Sequence, residues 1–455
     1  MSSPLSYRKI FRLWLPLAAT WLMMAVEGPF LAAVIARLDD PRVNLAAYGV
    51  ALSFALIVEA PIIMILSAST ALVRDRDSYL KLRNFTFTLN FVITLVMLVV
   101  LWRPVFDWIA LDLVSLPLPV AELTRGALAL LLPWPAAIGF RRFYQGLLIR
   151  RELTRRVALG TVIRVAGMGT TALLLYRYSV VPGALVGGAA LAAGVVLESI
   201  GTRLMAVGLM GGYPVRSEDV LTYRRIVDFY FPLALTSIIA LGVHPMVTFF
   251  VGGSRRALDS LAVLPVLFAL TFIFRSVALS YQEVAIALLD GSRENFRKIA
   301  TFAGTLALVA TFGLVLTAFT PLSWIWFHHV SGLSEELSTF AIFPLRLFCI
   351  IPFFAVLLAF QRAILVFGRK TRPVTVATVL EVSGILAVLF VTIRTLDFLG
   401  VVAAVVALLL GRMCANAYLM YPAHRVLAST GALGRESTAL GVEVRALSRS
   451  TRSHL

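Results

Sequence analysis

Charge is scarce in this sequence. Of 455 residues only 14% are Asp, Glu, Lys or Arg, against 60% hydrophobic, and the mean hydropathy is +0.90. A soluble domain needs more charge than this to cover its surface. Lysine is scarcer still: Lys9, Lys81, Lys298 and Lys370 are the only ones among 41 basic residues. With so much Ala, Leu and Val, the arginine bias points to a GC-rich bacterial genome. Cysteine is nearly absent. Cys349 and Cys414 both fall in apolar stretches, which excludes a disulfide framework and a cysteine metal site. The motifs of soluble chemistry are missing too: no GxxxxGK(S/T), no HExxH, and no GxSxG between a strand and a helix. No nucleotide, metal or other cofactor site is indicated. No catalytic-type residues gather at one membrane face, which argues against a membrane-embedded enzyme. The first apolar run is too long for a cleavable signal peptide and is expected to be a permanent span.

What the chain has instead is apolar runs of about 20 residues, each long enough to cross a bilayer as a helix. Twelve are expected. The first six are Leu13–Ile35, Ala46–Leu72, Phe85–Leu101, Leu123–Gln145, Val157–Tyr176 and Pro182–Met205. The second six are Val227–Val251, Ser260–Leu289, Ile299–Phe319, Thr339–Leu365, Pro373–Ile393 and Phe398–Met420. The formal charge of +17 is scattered between spans, which speaks for membrane topology and against nucleic-acid binding. Basic residues concentrate in one set of loops, such as Arg74–Arg83, Arg150–Arg156 and Arg293–Lys298. The positive-inside rule makes that set cytoplasmic and places both termini inside. Trp102, Trp108, Trp324 and Trp326 are expected as interfacial anchors on the other side.

The sequence also repeats itself. A shift of 216 residues lays Tyr7–Thr86 on Tyr223–Phe302, with Pro16-Leu17-Ala18 on Pro232-Leu233-Ala234, Thr20 on Thr236 and Pro29 on Pro245. Trp108 meets Trp324, Gln145 meets Gln361 and Arg156 meets Arg372. Each copy holds six spans, an even number, so the copies insert in the same orientation. The expected architecture is an all-α polytopic membrane protein with twelve transmembrane helices in two parallel six-helix lobes. The lobes are residues 1–212 and 213–427, joined through about Gly211–Leu221, and a mobile cytoplasmic tail is expected over 428–455.

Ionisable residues within spans cost the most and carry the functional expectation. They are Glu27, Glu59, Arg164, Glu198, His244, Arg275, Glu283, Arg346, Glu381 and Arg412. The repeat sharpens this set. Glu59 falls on Arg275, and Arg164 falls one residue from Glu381, so matched depths carry opposite charges. Arg164 with Glu198, and Glu381 with Arg412, are expected as structural ion pairs. Glu27, Glu59 and Arg275 lie on spans that a six-plus-six repeat places around a central cleft. His244, before Pro245, either serves that cleft or bonds a carbonyl freed by the proline. Arg141 and Arg142 are expected to snorkel to the cytoplasmic interface. The matched prolines either bend helices that move or fix a static kink.

Two parallel six-span lobes resemble the major facilitators and the multidrug/oligosaccharidyl-lipid/polysaccharide (MOP) group that includes MATE transporters. The facilitators' signature loop after span two is replaced here by Arg74-Asp75-Arg76-Asp77. Leu45–Val50, Phe231–Leu235, His244–Val247, and Val330–Ser334 followed by Leu345–Phe348 resemble the progressive ankylosis (ANK) family, a MATE-like group. That resemblance implies a V-shaped cleft lined by spans one, two, seven and eight. It implies export of small anions of the kind of citrate, ATP or pyrophosphate, and carries Glu27, Glu283 and Arg346 over by position. The chain departs from the family at Ala285, where an Arg is expected.

The resulting expectation is a monomeric secondary transporter in a bacterial inner membrane, exporting a small organic or phosphate-containing anion by alternating access. Arg275 and Arg346 would attract the anion. Glu27, Glu59 and Glu283 would contact substrate and bind a coupling proton or sodium, and His244 would line the same site. The alternatives are an exporter of lipophilic cations, in which the carboxylates bind substrate directly, and a lipid-linked-precursor flippase.

Overall fold

The computed structural model describes residues 5–151, 153–178, 180–209, 221–289, 292–368, 370 and 372–429. Among them every regular element is a helix. The first half contains α1 Tyr7–Ile35, α2 Pro41–Glu59, α3 Ile65–Leu72, α4 Arg76–Leu101, α5 Arg103–Asp107, α6 Leu118–Leu130, α7 Trp134–Arg150, α8 Thr154–Tyr178 and α9 Gly183–Met205. The second half contains α10 Tyr223–Leu241, α11 Val243–Gly252, α12 Ala257–Leu288, α13 Arg293–Phe319, α14 Leu322–Trp324, α15 Glu335–Phe348, α16 Ile351–Phe367, α17 Arg372–Phe390 and α18 Gly400–Ser429. Eleven spans are continuous or nearly so, and α15 with α16, bent by 40°, forms the twelfth. The protein is a multi-pass membrane protein. Tyr7 and Ser429 lie on one face, called here the terminal face.

The duplication extends to local geometry. Ser6 and Thr222 both cap the first helix of their half, each hydroxyl accepting an N–H three residues on, which satisfies an otherwise orphaned donor. Asp40 and Arg256, 216 apart, both turn the chain with positive φ, 46° and 53°. From α4 onward the offset becomes 217: Arg76 matches Arg293, and the π-helical turns Trp108–Leu113 and Ile325–Val330 coincide. At that offset Arg164 falls directly on Glu381 rather than one residue away. Glycine is needed at two matched places. A Cβ on Gly194 would meet the Arg164 carbonyl oxygen at 2.8 Å, and one on Gly411 would meet the Glu381 carbonyl at the same distance. Only a bare backbone lets these helix pairs approach so closely.

The copies differ where they break. In the first half α1 runs unbroken through Pro16 and Pro29, while the second span is interrupted between α2 and α3, around Pro61. In the second half the order reverses: the seventh span is interrupted at Gly242, before Pro245, and α12 is continuous for 32 residues. α18 carries on to Ser429, so residues 428 and 429 are helical rather than tail. Residues 430–455 and most of the expected linker lie outside the described residues.

The buried core reveals the conformational state. Away from the terminal face one continuous core joins both halves, with Leu31, Ala46 and Leu131 packed in common with Val247, Leu264 and Phe348. Toward the terminal face it splits in two. One inner core holds Tyr281, Val356 and Leu419 of the second half together with Ile10 of α1. The other holds Phe143 and Leu147 of the first half together with Ile226, Tyr230 and Ala234 of α10. The terminal halves of α1 and α10 have thus changed sides. Trp14 donates from Nε1 to Ser280 Oγ at 2.9 Å, and the Tyr230 hydroxyl donates to the Pro61 carbonyl. The molecule is sealed on one face and cleft on the other.

Candidate functional site

The cleft lies along α12. One face of this helix changes from Phe268 and Arg275, half-buried, to Leu279 and Glu283, exposed, moving toward the terminal face. Such a gradient marks a crevice that widens in that direction. Trp21 of α1 lies against Glu283. His244 is half-buried nearby, its ring edge-on to Phe268 at 6.3 Å between centroids. Its ring makes no hydrogen bond to a freed carbonyl among the described residues.

Two charge clusters flank the crevice, one in each half. In the first half, Arg164 Nη2 bonds Glu27 Oε2 at 2.5 Å. Glu198 pairs with Arg141, both almost fully buried, and accepts a further bond from Gln145 Nε2 at 3.1 Å. This corrects two expectations. Arg164 reaches across to α1, which packs beside α8, and leaves Glu198 to Arg141. Arg141 does not snorkel: it is 4% exposed, because a carboxylate inside the bundle compensates it better than the interface could. Glu59, at the end of α2, has a buried oxygen with no hydrogen-bond partner, and Arg142 is the cation that acts on it most strongly. The first half therefore holds three carboxylates and three guanidinium groups.

The second half is not balanced. Arg412 Nε lies 2.7 Å from Glu381 Oε1. Arg275 and Arg362 feel the charges of this same pair. Arg362 reaches Thr378 Oγ1 at 3.4 Å, and its Nε has no partner. Arg275 on α12 and Arg362 on α16 thus add two further guanidinium groups in the neighbourhood of the Arg412–Glu381 pair, neither of them within ion-pair distance of a carboxylate among the described residues. Arg362 was not among the residues singled out in the sequence, although a charge inside a span is itself the signal. Arg346 lies elsewhere. It is exposed, donates from Nε to the Ala318 carbonyl at 3.3 Å, and rests on the Phe319 ring 5.4 Å away.

The opposite face is latched across the two halves. Arg37 donates to the carbonyls of His329 and Val330 at 2.6 and 2.9 Å. Arg42 meets Asp259 at 3.0 Å and Glu336 at 2.5 Å. Arg256 completes the network with Asp259 and Glu336, both at 2.7 Å. Below the latch, Thr248 donates to Ser53 Oγ at 3.0 Å in the buried seam. Beside this seam an apolar cavity of about 470 Å³ lies among Phe54, Ile57, Met246, Phe249, Phe250 and Leu386.

No protein-family model and no curated protein matches the sequence. Solved structures do match the fold. The inward-facing conformation of a multidrug-resistance MATE transporter of the MOP superfamily superposes with a TM-score of 0.70 at 14% identity, over 92% of this chain and 98% of that one. The outward-facing conformation of a MATE family transporter gives 0.63 at 13% identity, over 92% and 96%. The lipid II flippase MurJ in an inward closed conformation gives 0.69 at 12% identity, over 92% and 90%. A MOP-superfamily transporter from Pyrococcus furiosus, distinguished by the reverse polarity of its binding pocket, gives 0.61 at 13% identity, over 92% and 96%. The chain therefore has the MATE-like fold of the MOP-superfamily transporters.

Proposed function

We propose that the protein is a secondary transporter that exports a small organic or phosphate-containing anion by alternating access. Residues 1–212 and 213–427 act as its two lobes, and its terminal face is cytoplasmic in a bacterial inner membrane. The orientation is supported by the arginine-rich loops on the terminal face and by the better superposition on the inward-facing neighbour. The substrate class rests on one observation: the second half has one paired guanidinium, Arg412 with Glu381, and two more near that pair, Arg275 and Arg362, with no carboxylate in ion-pair distance among the described residues. Cations in a bundle interior demand compensation, and planar guanidinium forks suit carboxylate and phosphate groups. Glu59 and Glu283 are the carboxylates free to carry a coupling proton or sodium, since Glu27 is held by Arg164. The protein works as a monomer.

The test is ligand-dependent thermal stabilisation of the purified chain across a panel of di- and tricarboxylates, phosphate esters and lipophilic cations. Stabilisation confined to anions is expected. A response only to lipophilic cations would move the site to the carboxylates of the first half. The apolar cavity favours a second reading, an amphiphilic anion such as a lipid-linked precursor, and undecaprenyl phosphate belongs in the panel for that reason.

The latch offers a separate check on alternating access. Exposed ion pairs contribute about 0.2–1 kcal/mol each, so Arg42→Ala, which removes two, is expected to shift the balance toward the oppositely open state by roughly two- to thirtyfold. Ser331, buried beside the latch, reports on it. In a chain freed of Cys349 and Cys414, a Ser331→Cys label should react faster with a membrane-impermeant thiol reagent once Arg42 is gone. An unchanged rate would remove the latch from the cycle.

A further inference from the structure

The two buried ion pairs built on α9 and α18 differ in kind. Arg141 and Glu198 are sealed, with side chains 5% and 1% exposed, and Gln145 holds the carboxylate's second oxygen. Arg412 and Glu381 are 24% and 11% exposed. Arg412 Nε, although 2.7 Å from the carboxylate, makes no aligned hydrogen bond. No side chain holds Glu381 on its other side among the described residues, while Arg362 and Arg275 wait within its field.

We propose that Glu381 is a resident counter-ion that stands in for substrate. It occupies the anion site of the second half while the site is empty, and an incoming carboxylate or phosphate displaces it from Arg412. Arg412 and Arg362 are then substrate ligands alongside Arg275, and Thr378 supplies a hydroxyl at the edge of the site. This rests on the anion reading above. Three observations favour it over a permanent brace. The scaffold does not require a carboxylate at this position, since the matched residue is Arg164. The helices do not depend on the pair, because Gly411 brings the α18 backbone directly against the Glu381 carbonyl. Glu381 can therefore swing without parting α17 from α18. Finally, three cations to one anion leaves donors over after Glu381 has been satisfied, and a small anion with several oxygens can use them.

A tethered carboxylate competes with free anions for the same guanidinium groups. It keeps the empty site from holding three uncompensated cations, and it lowers affinity enough for substrate to leave. Removing its charge should tighten binding and slow turnover.

The experiment is isothermal titration of the full chain in nanodiscs with succinate, citrate and inorganic pyrophosphate, together with anion exchange in proteoliposomes. Glu381→Gln is expected to bind the preferred anion at least about tenfold more tightly than the parent and to exchange it more slowly. Arg412→Gln is expected to bind it more weakly. Glu381→Asp keeps the charge and fold but draws the carboxylate back, and should tighten binding in the same direction. If the parent binds an anion while Glu381→Gln and Glu381→Asp bind it equally or less well, Glu381 is a brace and the inference falls while the anion reading stands. If neither parent nor variants bind any of these anions, both fall together.

Discussion

Arg275→Ala is expected to reduce anion uptake into proteoliposomes to the level of empty vesicles, while the purified chain stays as heat-stable as its parent or becomes more so. The two halves of this result have one origin. Arg275 sits midway along α12, half-buried in the membrane interior, with no carboxylate within ion-pair distance among the described residues. A guanidinium in that setting is costly to the fold, and removing it relieves the cost. Its worth is to substrate. Losing one charged partner of a desolvated, hydrogen-bonded contact costs about 2–5 kcal/mol of binding, which is roughly a 30- to several-thousand-fold loss of affinity. Lysine should rescue only part of this, since an ammonium cannot make the bidentate fork. A residue that merely braced the bundle would show the reverse pattern, with stability falling and activity following. Full uptake by Arg275→Ala would favour the lipophilic-cation alternative, for which Glu27→Gln should be the lethal change.

Much of the architecture was legible because bilayer physics writes it into the sequence directly. Twelve apolar runs, arginine-rich loops and matched prolines follow from one-dimensional rules, and the Glu59–Arg275 inversion came from laying one copy on the other. What stayed hidden depends on which helices touch. Arg164 has carboxylates on two spans within reach. Glu27 wins because α1 crosses α8, an adjacency that no hydropathy pattern encodes. The exchange of the terminal halves of α1 and α10 between inner cores is hidden for the same reason. The latch was invisible for another: Arg37, Arg42 and Glu336 read as ordinary loop charges until folding brings residues almost 300 apart into contact. Arg362 is legible by the same rule as Arg346 in the same span, since each is a charge inside an apolar run.

The contrast between the halves leads to the second large effect. In the first half the Arg141–Glu198 and Arg164–Glu27 pairs are closed, so they should act as structure. Glu198→Ala strands Arg141, 4% exposed, and leaves the Gln145 amide without its acceptor. Breaking one side of a buried pair costs about 3–5 kcal/mol, enough to unfold much of the protein or to drop its thermal midpoint sharply. Removing both charges should be far milder. Arg141→Met with Glu198→Leu replaces the pair by apolar groups, a change that is often neutral or stabilising. Denaturation of the purified variants, with anion exchange measured alongside, checks both statements. The double variant should recover most of the stability and still transport. A matching neutralisation of Arg412 and Glu381 in the second half should leave the protein folded and transport lost. If the first-half double variant were also inactive, the Arg141–Glu198 pair would belong to the transport cycle, and the division of labour between a neutral half that holds and a cationic half that binds would have to be abandoned.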